Sequence, residues 1–169
     1  MIHVTSFAPI ENPSARILIL GSMPGVASLA AGQYYAHPRN AFWPIMAGLC
    51  GFDAELPYAR RVAALKASGI ALWDVLQSCH RPGSLDAAIA SGSRVPNDFR
   101  AFFAAHPGIR LVAFNGAEAE RSFKTLVLPQ IDVSGIRCVR LPSTSPAHAV
   151  SLERKLAAWR EALNRPMLP

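Results

Sequence analysis

Four short apolar runs recur along the chain, separated by stretches with helical spacing. Arg16-Ile-Leu-Ile-Leu-Gly21, Gly69-Ile-Ala-Leu-Trp-Asp74 and Arg110-Leu-Val-Ala-Phe-Asn115 are each continuous and end in turn residues, the pattern of strands buried on both faces. Ile136-Arg-Cys-Val-Arg-Leu141 alternates apolar with basic positions, which predicts a strand nearer a sheet edge. Between the runs, Asn40 to Leu49 carries Phe42, Trp43, Ile45, Met46 and Leu49, with Pro44 near its start. These make an apolar stripe at helical spacing. Tyr58 to Ser68 repeats Val62, Ala64 and Leu65 and stops at Gly69, as helices commonly do. Asn97 to Ala105, Glu118 to Leu126 and Ser151 to Leu163 complete the predicted helices.

Strands that alternate with helices imply right-handed crossovers. The expected fold class is therefore α/β, a three-layer α/β/α sandwich around a central four-stranded parallel sheet. At 169 residues, without repeats, linker or low-complexity tract, the chain is expected to be one domain over 1–169. In such sheets ligands bind outside the carboxyl ends of the strands. That rule selects four loops: Gly21 to Asn40, Asp74 to Leu85, Asn115-Gly116, and Leu141 to Val150. They hold much of the chain's Gly, Pro, Ser, Tyr and His.

Composition narrows the partners. Seventeen Lys and Arg, most of them Arg, oppose eleven Asp and Glu for a net charge of +6, and Arg pairs bidentately with phosphate, so a polyanion is favoured. Cys50, Cys79 and Cys138 are scattered and odd in number. They predict neither a disulfide framework nor a zinc site, and a reduced, cytoplasmic compartment. No apolar run is long enough to span a membrane, and Met1 to Pro13 lacks the pattern of a signal peptide. A Gly-x-Ser-x-Gly elbow is absent, because Ser22 directly follows Gly21, which disfavours an α/β hydrolase.

The first loop contains Gly21-Ser22-Met23-Pro24-Gly25 and Tyr35-Ala36-His37-Pro38-Arg39-Asn40-Ala41-Phe42-Trp43; the last reads Leu141-Pro-Ser143-Thr144-Ser145-Pro146-Ala-His148. From Ile17 to Leu156 the chain resembles the uracil-DNA glycosylase superfamily. The nearest branch holds the mismatch-specific uracil/thymine and the hypoxanthine (deoxyinosine) glycosylases. Mismatch-specific members are similar in carrying Gly-Ile-Asn-Pro-Gly followed by Phe-Ala-His-Pro-x-Asn-x-Phe-Trp.

The resemblance implies a monomeric, cofactor-free and metal-free enzyme. It would flip a deaminated base from double-stranded DNA and hydrolyse its N-glycosidic bond, initiating base excision repair. Its preferred base would be hypoxanthine or uracil. A G:U/G:T mismatch enzyme, or a nucleic-acid binding module that has lost the reaction, are the alternatives. Carried onto this sequence, the family's stacking ring falls on Tyr35, with Tyr34 beside it. Both could instead pack the loop. Backbone amides of Ser22 and Met23 would donate to the base, and Gly21 would admit it closely. The family's water-orienting Asn is replaced by Met23, whose thioether cannot orient water. As in the hypoxanthine branch, Asn40 is then the expected catalytic amide, although Asn is also a favoured helix cap. His37 would contact the base or phosphate, or equally be a buried His hydrogen-bonded to backbone. Ser143, Thr144, Ser145, Pro146 and His148 would grip and wedge the DNA strand, and Arg81 would contact phosphate. The His that uracil enzymes place before Pro-Ser is here Leu141, and three cysteines cannot hold the iron–sulfur cluster of four-cysteine relatives. Asp74 and Asn115 end strands, where turn chemistry explains them, although Asp74 could also act as a base.

Overall fold

The computed structural model describes residues 2–164; Met1 and 165–169, the ends of the single domain expected over 1–169, lie outside the described residues. In chain order the strands and helices are β1 (His3–Thr5), β2 (Ile17–Gly21), α1 (Val26–Ala31), α2 (Phe42–Cys50), α3 (Tyr58–Ala67), β3 (Ile70–Asp74) and β4 (Leu76–His80). They continue with β5 (Val95–Pro96), α4 (Phe99–Ala105), β6 (Leu111–Asn115), α5 (Ala117–Ser122), β7 (Arg137–Leu141) and α6 (Leu152–Asn164).

The four apolar runs form one parallel sheet in the order β3-β2-β6-β7. Successive side chains on a strand point to opposite faces, and both faces of β2 are buried. Ile17 and Ile19 pack with Phe42, Trp43, Ile45 and Met46 of α2, Leu65 of α3 and Trp159 and Leu163 of α6. Leu18 and Leu20 pack on the other side with Phe99 and Phe102 of α4 and Ala119 of α5. The expected three layers are present. β7 is one of the sheet's two edge strands, and four of its five residues are not buried.

Three features depart from the expectation. The loop from Asp74 to Leu85 contains β4, which pairs antiparallel with β1 and β5 in a second, three-stranded sheet. Its polar Gln77, Ser78 and His80 interrupt the apolar pattern, and its partners are two or three residues long, so nothing local marks it. The loop from Gly21 to Asn40 contains α1, which ends at Gly32 with φ 65; six residues are too few to show a helical period. The helix expected over Glu118–Leu126 is α5 followed by a wider, π-type turn over Phe123–Val127. Among the described residues no helix is long and apolar enough to cross a membrane.

Candidate active site

The carboxyl ends of β2, β3, β6 and β7 open onto a cavity of about 700 Å³. Gly21 ends β2 at its floor. A Cβ there would lie 2.6 Å from Asp74 Oδ1 and 2.8 Å from Tyr35 Oη, both inside van der Waals contact, so the convergence of these two groups requires glycine. Beyond Gly21, the Met23 side chain is buried and joins the apolar cluster of Leu18 and Leu20. Only the main chain of Ser22-Met23 is left to serve a ligand, and neither amide donates to an acceptor among the described residues. The Ser22 hydroxyl donates to Asp86 Oδ1 at 2.6 Å.

Tyr34 and Tyr35 have separate tasks. Tyr34 is buried, donates its hydroxyl to Ala8 O (2.8 Å) and accepts from Trp43 Nε1 at its carbonyl (2.8 Å). It holds the loop against the core, the packing alternative weighed for it. Tyr35 takes the left-handed conformation, φ 54, the one such non-glycine among the described residues. This conformation is sparsely populated for a bulky side chain and persists where surroundings enforce it. The enforcement is visible: Ala36 N donates to Ser28 Oγ of α1, and the Tyr35 ring stacks on Phe42 at 4.2 Å and 20°. Its hydroxyl is buried without a hydrogen-bond partner among the described residues. Burial, and secondarily the charge of Asp74, push the phenol pKa up, so the hydroxyl keeps its proton.

His37 is exposed and its Nδ1 accepts from Arg39 N (3.0 Å), leaving Nε2 as the nitrogen open to a ligand. Asn40, on the same cavity wall, accepts from Phe42 N at Oδ1 (3.0 Å). This bond sets the start of α2 two residues later than expected. The N-cap itself is Ala41, so Asn40 shapes the turn that leads into α2 rather than capping the helix, and its Nδ2 group has no protein acceptor among the described residues. Ala41 N then donates to Thr144 O at 3.0 Å, tying this corner to the last loop.

In that last loop the expected DNA contacts divide. Thr144 is 1% exposed. Its Oγ1 accepts from Asn115 Nδ2 and its amide donates to Asn115 Oδ1, both at 2.9 Å. A phosphate contact from this hydroxyl is therefore corrected to a stitch between the ends of β6 and β7. Thr144→Val, nearly isosteric, is expected to lower stability by about 1–3 kcal/mol because Asn115 loses its buried acceptor; an unchanged urea midpoint would refute the stitch. Ser143 Oγ and Ser145 Oγ accept from Ser145 N and Ala147 N (3.2 Å each) and shape the turn. Pro146 and His148 stand exposed at the cavity rim.

Arg81 is the other correction. It is 1% exposed, with Nη2 donating to Pro24 O, Nε donating to Gly83 O, and Nη1 fully enclosed without a partner among the described residues. A guanidinium in that position cannot reach a DNA phosphate. Its charge acts inward on Asp74 and Asp86.

Asp86 is the site residue that the expectations omitted, and Asp74 is the one they read first as turn chemistry and only second as a base. Asp74 is 3% exposed, and its Oδ2 has no partner among the described residues. Burial first, then the neighbouring charge of Asp86, pushes its carboxyl pKa up to about 7 against the pull of Arg81. Its place at the carboxyl end of a predicted strand was the available signal. Asp86 lies in an exposed loop 64 residues from Ser22 in sequence, and no local pattern marks it. Burial raises its pKa too, opposed first by the Ser22 hydrogen bond. Among the described residues no group of three or more His, Cys, Asp or Glu is placed to hold a metal ion.

A cavity with one aromatic wall, a protonated phenol and a high-pKa carboxyl at its floor, and an amide at its side suits a flat, polar heterocycle. The chain matches the Uracil DNA glycosylase superfamily over residues 8–165. It is 34% identical over 160 residues to a hypoxanthine DNA glycosylase of Methanosarcina barkeri, covering 94% of this chain and 97% of that one. A hypoxanthine DNA glycosylase of Methanosarcina acetivorans is 32% identical over 154 residues, covering 90% and 93%. A solution NMR structure from M. acetivorans, described as a candidate uracil DNA glycosylase, superposes with a TM-score of 0.77 at 30% identity, over 95% of this chain and 99% of that one. With the fold, the first-loop geometry and these similarities in agreement, the chain belongs to the uracil DNA glycosylase superfamily.

Proposed function

We propose that this protein is a DNA glycosylase that excises hypoxanthine, and with lower preference uracil, from double-stranded DNA. It acts as a monomeric single domain in the cytoplasm, without cofactor. The observation that carries this reading is the convergence of Tyr35 Oη and Asp74 Oδ1 on Gly21 at the floor of a cavity whose wall holds Asn40. The names of the Methanosarcina relatives, both hypoxanthine DNA glycosylases, support the same substrate.

Each group then has a task. The everted base lies along the Tyr35 ring, which is braced from behind by Phe42. The N-glycosidic bond breaks toward a cationic sugar and an anionic base, so stabilisation is needed where charge develops on the base. The protonated Asp74 carboxyl, together with the Ser22 and Met23 amides, supplies donors there, and the buried Tyr35 hydroxyl, which keeps its proton, sets no negative charge against the base. A purine with a ring carbonyl accepts such donors, whereas the exocyclic amine of adenine places a donor against them. Asn40 holds the attacking water, with Oδ1 shared with the Phe42 amide and Nδ2 free. Pro146 and His148 meet the duplex at the rim, and His37 faces the extruded nucleotide.

Single-turnover assays on duplexes containing hypoxanthine, uracil or a G:T mismatch test the reading. Release of free base is expected, fastest from hypoxanthine. Release from G:U and G:T alone would transfer the function to a mismatch enzyme. Duplex binding with no release from any substrate would leave a binding module, the alternative that Met23 in place of the family's Asn favours.

A further inference from the structure

An amide can orient water but cannot take its proton at any ordinary pH, so Asn40 leaves the hydrolytic step without a proton acceptor. The cavity holds two carboxyls, and they are built differently. Asp74 is enclosed beneath Gly21. Asp86 is exposed as a residue, but its carboxyl turns inward, partly buried against Ser22 on the cavity wall. The segment carrying Asp86 is strapped to the first loop at three points: Arg81 Nη2 donates to Pro24 O, Val26 N donates to Ser84 Oγ (2.8 Å), and Ser22 Oγ donates to Asp86 Oδ1 (2.6 Å). The Ser22 bond stabilises the ionised carboxylate and leaves Asp86 Oδ2 without a partner among the described residues.

We propose that Asp86, held by Ser22, is the proton acceptor for the attacking water. This rests on the glycosylase reading above. As the C1′–N bond breaks, its electron pair leaves with the base. The water oxygen bonds to C1′ while one of its protons passes to Asp86 Oδ2, and the base anion takes a proton from Asp74 or solvent. Return of the proton from Asp86 to Asp74 or solvent restores the site, and the sum is then one water consumed, one sugar hydroxyl formed and one neutral base released.

Beside burial and the Ser22 hydrogen bond, the charged groups acting on Asp86 are Glu118 from α5 and Arg81 and Arg94 from the segments after β4, and Asp86 in turn acts on Asp74 of β3. Glu118 raises its pKa, and the two arginines lower it. The base form is lost as pH falls through the Asp86 pKa, so the rate of base release should carry an acid limb that belongs to Asp86.

The test is single-turnover excision from hypoxanthine duplexes across pH 4.5–9 by wild type, Asp86→Asn and Ser22→Ala, with binding to an abasic duplex measured in parallel. Asp86→Asn keeps an acceptor for the Ser22 hydroxyl, so it is expected to fold. Loss of rate by about 10²–10⁴-fold, in the range of acid–base catalysis, with the acid limb flattened and abasic-duplex binding retained, supports the assignment. Ser22→Ala should keep the limb but move it to higher pH, because the carboxylate loses a stabilising donor. An Asp86→Asn enzyme with wild-type rate, or one that is slowed yet keeps the acid limb, overturns it. Absence of release by the wild type would instead defeat the glycosylase reading itself.

Discussion

Asn40→Ala is expected to slow base release by about 10²–10³-fold, the usual cost of removing one preorganised polar group from a transition state, while duplex binding persists. The same truncation removes the acceptor for Phe42 N and should cost about 1 kcal/mol of stability through the lost hydrogen bond. Asn40→Asp separates the two effects. Its carboxylate can still accept from Phe42 N, so α2 keeps its start, but it loses the Nδ2 donors and adds a negative charge to a cavity already holding Asp74 and Asp86. If Asn40→Asp melts like wild type and is as slow as Asn40→Ala, the amide acts on the reaction. If Asn40→Ala releases base at the wild-type rate, Asn40 only shapes the turn before α2.

The second large effect is on stability against pH. Burial keeps the Asp74 carboxyl neutral in the folded state up to about pH 7, against an ordinary carboxylate value of 3.8. Between those values the folded chain holds a proton that the unfolded chain has released, so this group's contribution is greatest below pH 4 and is lost as pH rises to about 7. The slope should reach about 1.4 kcal/mol per pH unit within that window. Asp74→Asn, which never ionises, should flatten this segment of the profile and gain stability over wild type at pH 8, read by urea unfolding at closely spaced pH values. Its activity should lose the decline expected on the alkaline side, where the wild-type carboxyl no longer donates. Parallel stability profiles for the two proteins would show that Asp74 is ionised in the fold at neutral pH.

The four strands of the parallel sheet were legible because burial on both faces demands uninterrupted apolar runs, and Leu18 and Ile19 satisfy opposite sides of the same strand. β1, β4 and β5 were not, since a half-buried strand such as Leu76–His80 mixes Gln and Ser with Leu and Cys, and its pairing is non-local. Resemblance placed Tyr35, His37 and Asn40 on the cavity, where the structure also puts them. Arg81 misled because an isolated Arg in a loop reads as a surface charge; the carbonyl of Pro24 that receives it is 57 residues away. Thr144 misled similarly, since its partner Asn115 is 29 residues distant. Asp86 could be recognised only once Ser22 was seen beside it.

The Ala41–Thr144–Asn115 chain of hydrogen bonds fixes who bears the distortion when DNA is engaged. Three rims sewn together form a mouth whose shape precedes its guest, so on the proposed function the bending and unstacking fall to the nucleic acid. Lesions seated in wobble pairs, already poorly stacked, would be admitted at smaller cost than sound Watson–Crick partners. Selectivity would then begin at the threshold, before any group at the floor has touched the base.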